Sequence, residues 1–222
     1  MAGWLNCFMN AVPPGISLNL DMGDYATNPH AKLVALLTTL VKAVEADTAV
    51  VQDVFEPVLY AKGHQLVMPG KTARFMYYIN TGYIRTFYLD DLAEVTTNIN
   101  CPLGFITAFD SYVTQQPASE YLECITDCQL LRISKQALDN LFRKSPVWAE
   151  AGRLINEQVI VYNAQRTRDM VTVSAEQRYL NLMEEHPDFF QHIPLQYLAS
   201  FIGVKPESLS RIRKRLSFPN PG

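Results

Sequence analysis

The sequence predicts an α+β chain in which a small antiparallel β-roll lies between helices, and three observations predict it. From Glu56 to Ile133 the hydrophobic period is two, broken by glycine turns at near-regular intervals, as the short strands of a roll or barrel require. From Val147 to about Arg168 the apolar residues return at a helical spacing over a long stretch. Near the end, Ile193 to Leu216 reads as two short helices joined at Gly203.

With 222 residues, 48% hydrophobic and 18% charged, the chain has room for one large or two small cores, and its composition argues against long-range disorder. No apolar run approaches the roughly 20 residues of a membrane span. No basic segment followed by an apolar run opens the chain, so a cytoplasmic protein without a membrane partner is expected. Cys7, Cys101, Cys124 and Cys128 lack Cys-x-x-Cys spacing, and His30, His64, His186 and His192 are scattered. Four reduced thiols, no metal and no cofactor are therefore expected.

Residues 1–30 carry Pro13-Pro14-Gly15, Gly23 and Asn28-Pro29 with no sustained period, and read as an irregular arm. The roll domain is expected over residues 31–145. It begins with a helix that places Leu33, Leu36, Leu37, Leu40, Val41 and Val44 at helical spacing, and Asp47 stands as a cap for a second short helix leading to Phe55. Strands follow at Met76–Ile79, Tyr83–Tyr88 and Glu94–Ile99, with turns at Lys62-Gly63, Pro69-Gly70, Thr81-Gly82 and Leu89–Asp91. Leu122, Cys124, Leu130, Leu131 and Ile133 complete its core. Ser134 is the expected N-cap of a short helix over Lys135 to Phe142.

The long helix, expected over 146–168, sets Trp148, Ala151, Ile155, Gln158 or Val159, Tyr162 and Gln165 on one stripe. That spacing suits packing on the roll as well as pairing with a second copy; the downstream helix pair favours pairing, and hence a dimerisation helix. Residues 169–222 are expected as a small domain of three helices around one core. Ser174-Ala-Glu-Gln177 has capping-box form, and Tyr179, Leu180, Leu182 and Met183 follow as an apolar face ending near His186-Pro187.

In the terminal pair, Leu195, Leu198, Phe201 and Ile202 give the first helix a buried face, and Leu209, Ile212 and Leu216 do so for the second. Gly203 supplies the turn, and Pro206 is tolerated because a first-turn residue has no amide bond to lose. Ser208, Ser210, Arg211, Arg213, Lys214 and Arg215 point outward. The whole chain has a formal net charge of −3, yet from Leu195 to Leu216 Lys205, Arg211, Arg213, Lys214 and Arg215 face only Glu207. A positive patch on the second helix of a helix-turn-helix predicts double-stranded DNA as a partner and a homodimer reading two half-sites.

Beyond this pattern, Lys62-Gly63-His-Gln-Leu66, Pro69-Gly70, Tyr77-Tyr-Ile-Asn-Thr-Gly82-Tyr-Ile-Arg85, Ser174-Ala-Glu-Gln-Arg178 and Gly203-Val-Lys-Pro-Glu-Ser-Leu-Ser-Arg211 look like a family's roll, hinge and recognition-helix motifs. Over about Phe55 to Leu216 the chain resembles the Crp/Fnr family of bacterial transcription regulators, whose members fuse a cyclic-nucleotide-type sensor roll to a winged helix-turn-helix. The resemblance implies that Glu207 and Arg211 touch base edges and that Gln196 and Ser208 touch phosphates. Arg211 suits guanine O6 and N7, and Glu207 suits cytosine N4. Lys205, Arg213, Lys214 and Arg215 complete the expected DNA contacts, as sequence-independent attraction that fades with salt. The family's other base-reading arginine falls at Pro206, and Ser217 to Gly222 leave little room for the wing's hairpin.

The sensor departs from the family pattern. A cyclic-nucleotide cassette needs a carboxylate for the ribose and an arginine for the phosphate, because a buried phosphate without a partner is costly. Phe105 and Ala118 stand at those two positions, with Glu120 and Glu123 nearby to repel an anion. Cyclic AMP or GMP in the usual mode is therefore not expected. Two readings remain: side chains that simply fill the roll, or a pocket for an unknown apolar or aromatic effector lined by Phe105, Ile106, Phe109, Ala118, Ser119 and Tyr121. Cys124 and Cys128 suit buried small hydrophobes better than a redox sensor. Enzyme chemistry in a roll would need converging histidines and a carboxylate, and His64 stands alone among the strands, so no catalytic residue is expected. The alternative function is a ligand- or partner-binding roll whose terminal helices only dimerise.

Overall fold

The computed structural model describes residues 27–43, 45–91 and 93–217. The expectations for most of the N-terminal arm and for a wing after Ser217 thus fall outside the described residues.

A helical lead-in comes first. Helix α1 (Ala31–Val41) buries Leu33, Leu36 and Leu37, the three-and-four spacing of one face, and stops where Lys42 turns left-handed at φ 52°. Helices α2 (Glu45–Thr48) and α3 (Val51–Val54) follow. Asp47 lies inside α2, while the N-cap of α3 is Val50; the Asp47 carbonyl accepts the indole N–H of Trp148 at 3.0 Å, tying the lead-in to the long helix.

The roll contains β1 (Glu56–Tyr60), β2 (Gln65–Val67), β3 (Phe75–Thr81), β4 (Ile84–Asp90), β5 (Ala93–Asn100), β6 (Phe105–Ile106), helix α4 (Phe109–Thr114), β7 (Tyr121–Cys124) and β8 (Cys128–Ser134). They form two four-stranded antiparallel sheets, ordered β1-β8-β3-β6 and β2-β7-β4-β5. Register sets Ile79 opposite Leu130 in one sheet and Ile84 opposite Cys124 in the other. Those four residues and Leu122 are fully enclosed, and each large apolar chain of this kind contributes about 1.5–3 kcal/mol to folding.

Ser134 caps α5 (Lys135–Lys144) by accepting the Ala137 N–H at 3.2 Å, and Ser145 caps α6 (Pro146–Thr172) by accepting that of Trp148 at 3.3 Å. Helix α6 runs on to Thr172, past the expected end at Arg168. Its stripe of Trp148, Ala151, Val159 and Tyr162 is buried in the chain's own core, with Trp148 and Phe55 rings 5.7 Å apart. Within the chain this face packs against α5, α1 and the core of the roll. The outward side of α6 carries other apolar residues: Ile160 is 66% exposed and Val171 84%.

Four C-terminal helices follow: α7 (Ala175–Glu185), α8 (Phe189–His192), α9 (Leu195–Ile202) and α10 (Pro206–Ser217). Ser174 accepts the Gln177 N–H, but the Gln177 amide reaches Asn181 at 2.8 Å, so only half of the expected capping box forms. The expected self-contained three-helix core is corrected. The cluster around Phe189, Leu198, Phe201 and Leu209 continues into Tyr83, Ile99 and Ile125 of the roll. Cys101 is buried in the same cluster, and Cys7 lies outside the described residues. No helix among the described residues is long and apolar enough to cross a membrane.

Candidate nucleic-acid interface and sensor face

The turn between α9 and α10 is built by local chemistry. Leu198, Ala199, Ile202 and Leu209 are at most 3% exposed, and Gly203 takes φ 83°, where a side chain would be strained. Its N–H donates to Ser200 O at 2.9 Å, and the Val204 N–H donates to Ala199 O at 2.9 Å, so the last carbonyls of α9 are satisfied. A Cβ at Gly203 would sit 2.6 Å from Met170 Cε of α6. Arg178 of α7 fastens the same corner: its Nε donates to Ile202 O at 2.9 Å and Nη1 to Asp169 O at 3.2 Å. A guanidinium at two helix C-termini also meets their negative dipole ends.

That corner presents α10 with its apolar side inward and its polar side to solvent. Lys205, Glu207, Arg211, Arg213, Lys214 and Arg215 are exposed, Ser208 is half-buried, and Gln196 is exposed on the first turn of α9. Glu207 and Arg211, four residues apart, share one face. Arg211 Nη2 donates to Ser208 Oγ at 3.1 Å, which orients the guanidinium along the helix. Arg215 pairs with Glu176 of α7. The acidic residue in the first turn and the basic ones in the last both suit the helix dipole.

On the sensor side the six expected pocket residues separate. Phe105 and Phe109 line a cavity of about 220 Å³ between the roll, α4, α5 and α6. Ile106 and Ala118 are buried away from its lining, Ser119 is exposed, and Tyr121 stacks on Phe87 at 4.7 Å. The backbone of Ala118 is consumed by the turn at Gly70: its carbonyl accepts the Gly70 N–H at 2.9 Å and its N–H donates to Lys71 O at 3.0 Å. Glu120 accepts the Tyr88 hydroxyl at 2.8 Å, and burial holds its carboxyl above the usual range against the pull of that bond. Cys124 and Cys128 are free, buried thiols, and a hydrogen bond between them raises the first and lowers the second.

A further charge is enclosed within the second sheet. Arg85 of β4 is 1% exposed, with Glu94 at 2.7 Å, a poorly aligned contact, and Glu123 at 3.1 Å. Its guanidinium lies between the rings of Phe87, at 4.0 Å, and Tyr197 of α9, at 3.6 Å. Beside it the Thr96 N–H donates to Ser200 Oγ of α9 at 2.8 Å, and the Tyr83 hydroxyl donates to Asp188 at 2.5 Å. Arg85 closes one of the roll motifs quoted above, but its burial is not legible there, because its aromatic lid arrives from residue 197.

This arrangement, a roll capped by a long helix that ends in a helix-turn-helix, has counterparts. A family model described as the cyclic nucleotide-binding domain matches residues 57–145. The c-di-GMP-responsive global regulator CLP of Xanthomonas campestris superposes with a TM-score of 0.61 at 18% identity, over 78% of this chain and 92% of that one. The chain has the Crp/Fnr fold. FixK2 of Bradyrhizobium japonicum superposes on this Crp/Fnr fold with a TM-score of 0.62 at 13% identity, over 74% of this chain and 85% of its own. A crp/fnr-family protein of Eubacterium rectale does so with 0.60 at 15% identity, over 79% and 85%. At such identities the likeness is one of Crp/Fnr architecture. No curated protein matches the chain in sequence.

Proposed function

We propose that the protein is a homodimeric, sequence-specific DNA-binding transcription regulator of the Crp/Fnr type. The observation that carries this reading is α10: a helix with a fully buried anchor at Leu209 and an exposed face of Arg211, Glu207, Lys214 and Arg213, set behind a left-handed glycine turn in a Crp/Fnr fold. In the major groove Arg211 would give two parallel donors to guanine and Glu207 would accept from cytosine. Lys205, Gln196, Ser208, Arg213, Lys214 and Arg215 would hold the backbone, and their share of the affinity would fall with salt.

The roll would not take a cyclic nucleotide in the usual mode. Phe105 and Ala118 offer neither a ribose carboxylate nor a phosphate arginine, and Glu120 adds an acidic neighbour. The reading in which the terminal helices only dimerise finds little support. Helices α9 and α10 bury their apolar faces in their own chain, and the outward side of α10 is polar, which suits a nucleic acid better than a dimer seam.

Footprinting on DNA fragments selected from a random pool tests the proposal. The wild-type protein should protect two half-sites, and Arg211→Ala should lose about 1–3 kcal/mol of specific affinity while keeping its melting curve. Selection of no sequence, or a footprint unchanged in Arg211→Ala, sinks the role given to α10.

A further inference from the structure

The last four carbonyls of α9 have no partner within that helix, so their partners come from elsewhere. Two are met by the turn, where the Gly203 N–H donates to Ser200 O and the Val204 N–H to Ala199 O. The other two are met by arginines from earlier helices. Arg166 of α6 donates from Nη2 to Phe201 O at 2.9 Å, and Arg178 of α7 donates from Nε to Ile202 O at 2.9 Å. The Arg166 guanidinium also lies over the Phe201 ring, 3.9 Å from its centre, so its face is stacked while its edge is bonded. Arg178 reaches on to the end of α6, where Nη1 donates to Asp169 O at 3.2 Å and to Val173 O. Neither arginine has a carboxylate partner among the described residues; Asp169, beside both, accepts the Gln165 amide at 2.7 Å. Burial above all, with the Arg178 cation adding to it, pulls Arg166 below the usual guanidinium range. Two neighbouring cations without a carboxylate do little for stability. What they supply is geometry, because a planar fork ties helix ends together at a fixed angle.

We propose that Arg166 and Arg178 are positioning residues for DNA reading, which set the angle between α6 and α10 and thereby the spacing of the two half-sites. The inference rests on the regulator reading and its homodimer. Helix α10 begins directly beyond the turn that these arginines close, and Met170 of α6 packs so tightly on Gly203 that a Cβ there would lie 2.6 Å from its Cε. The end of α9 therefore cannot swing on α6 without breaking both bonds to Phe201 and Ile202. In a pair of chains joined along α6, each α10 is carried at the end of such a corner, and the distance between the two is fixed by it. One inserted base pair turns the second half-site by about 35° and moves it by about 3.4 Å, which a fixed corner does not follow. Neither arginine touches a base in this role, so the bases preferred within a half-site stay with α10.

The experiment is selection of fragments from random DNA by the full chain, followed by affinity measurements on the selected site with one base pair inserted between its half-sites. Wild type should select two half-sites at one spacing, and the insertion should weaken it about tenfold or more, the worth of one charge-assisted hydrogen bond. Arg166→Met keeps an apolar stem on Phe201 and removes the fork. It should select the same half-site bases but accept several spacings, with most of the insertion penalty gone. Arg166→Lys keeps the charge and a bond to Phe201 O without the stack, and should fall between the two; it carries the same test if the methionine variant melts early. A single sharp spacing retained in both variants overturns the inference and leaves the regulator reading standing. So does a change of the preferred half-site bases in step with the spacing, which would place Arg166 in the reading itself. Wild type selecting no paired half-sites overturns the inference and the regulator reading together.

Discussion

Arg85 is the largest side chain that the fold encloses completely, and its enclosure depends on neighbours from three strands and a distant helix. A guanidinium tolerates this because its planar face stacks on Phe87 and Tyr197 while its edge meets Glu123 and Glu94. Replacing it leaves Glu123, 15% exposed at the side chain, without its cation. Arg85→Ala should therefore destabilise the protein by about 3–5 kcal/mol, seen as a lower denaturant midpoint at an unchanged slope. Arg85→Lys should recover little, since an ammonium cannot both stack and fork. A midpoint unmoved by the alanine variant would mean that the cluster stores no net stability. Such a residue is illegible in one sequence. In Ile84-Arg85-Thr86-Phe87 an arginine between apolar neighbours reads as the solvated side of a strand, and only the tertiary arrival of Tyr197 reverses that.

At the scale of elements, α6 explains why a correct period can still mislead about a partner. Spacing picks out Trp148, Ala151, Val159 and Tyr162 as one apolar stripe, but a stripe says only that the face is covered. The structure covers it with α1 and the roll. A second apolar set, Ile160, Val161 and Val171, faces outward, so the helix is apolar on two sides. Exposed residues of this size on a long helix are what a two-fold pair would bury. If the protein dimerises through α6, Ile160→Glu places like charges across that seam and should convert the dimer to a monomer in sedimentation, with the melting of the isolated chain little changed. A dimer that survives Ile160→Glu would assign the interface elsewhere. The elements themselves were largely readable: the roll's strands from their alternation, the caps at Ser134 and Ser174 from position, and the α9–α10 pair from its glycine. Asp47 was not, because a helix of four residues leaves too little pattern to tell a cap from a member.

Across the described residues the terminal helices build their core cluster together with Tyr83, Ile99 and Ile125 of the roll. Tyr83 donates across to Asp188, Thr96 to Ser200, and Tyr197 covers Arg85, so α9 is held by sheet β2-β7-β4-β5 while α10 stays turned to solvent. Long-range contacts of this kind leave no trace in local periodicity, which is why the sequence reads as two separate cores. The coupling is measurable. Stacking of a desolvated guanidinium on an aromatic ring is worth about 2 kcal/mol. Tyr197→Ala alone should cost that stack and the area it buries. Tyr197→Ala combined with Arg85→Ala should cost less than the two single changes summed, by about 1–2 kcal/mol in a double-mutant cycle. In the Tyr197→Ala protein, amide exchange should accelerate first in α9, over Leu195–Ile202, while the paired strands β3 and β8 keep their protection. Additive costs together with unchanged exchange in α9 would show that roll and helix-turn-helix only lie side by side. Energetic coupling would identify the Arg85–Tyr197 contact as the physical link between the two halves, because it is there that a shift in β4 reaches the helix preceding α10.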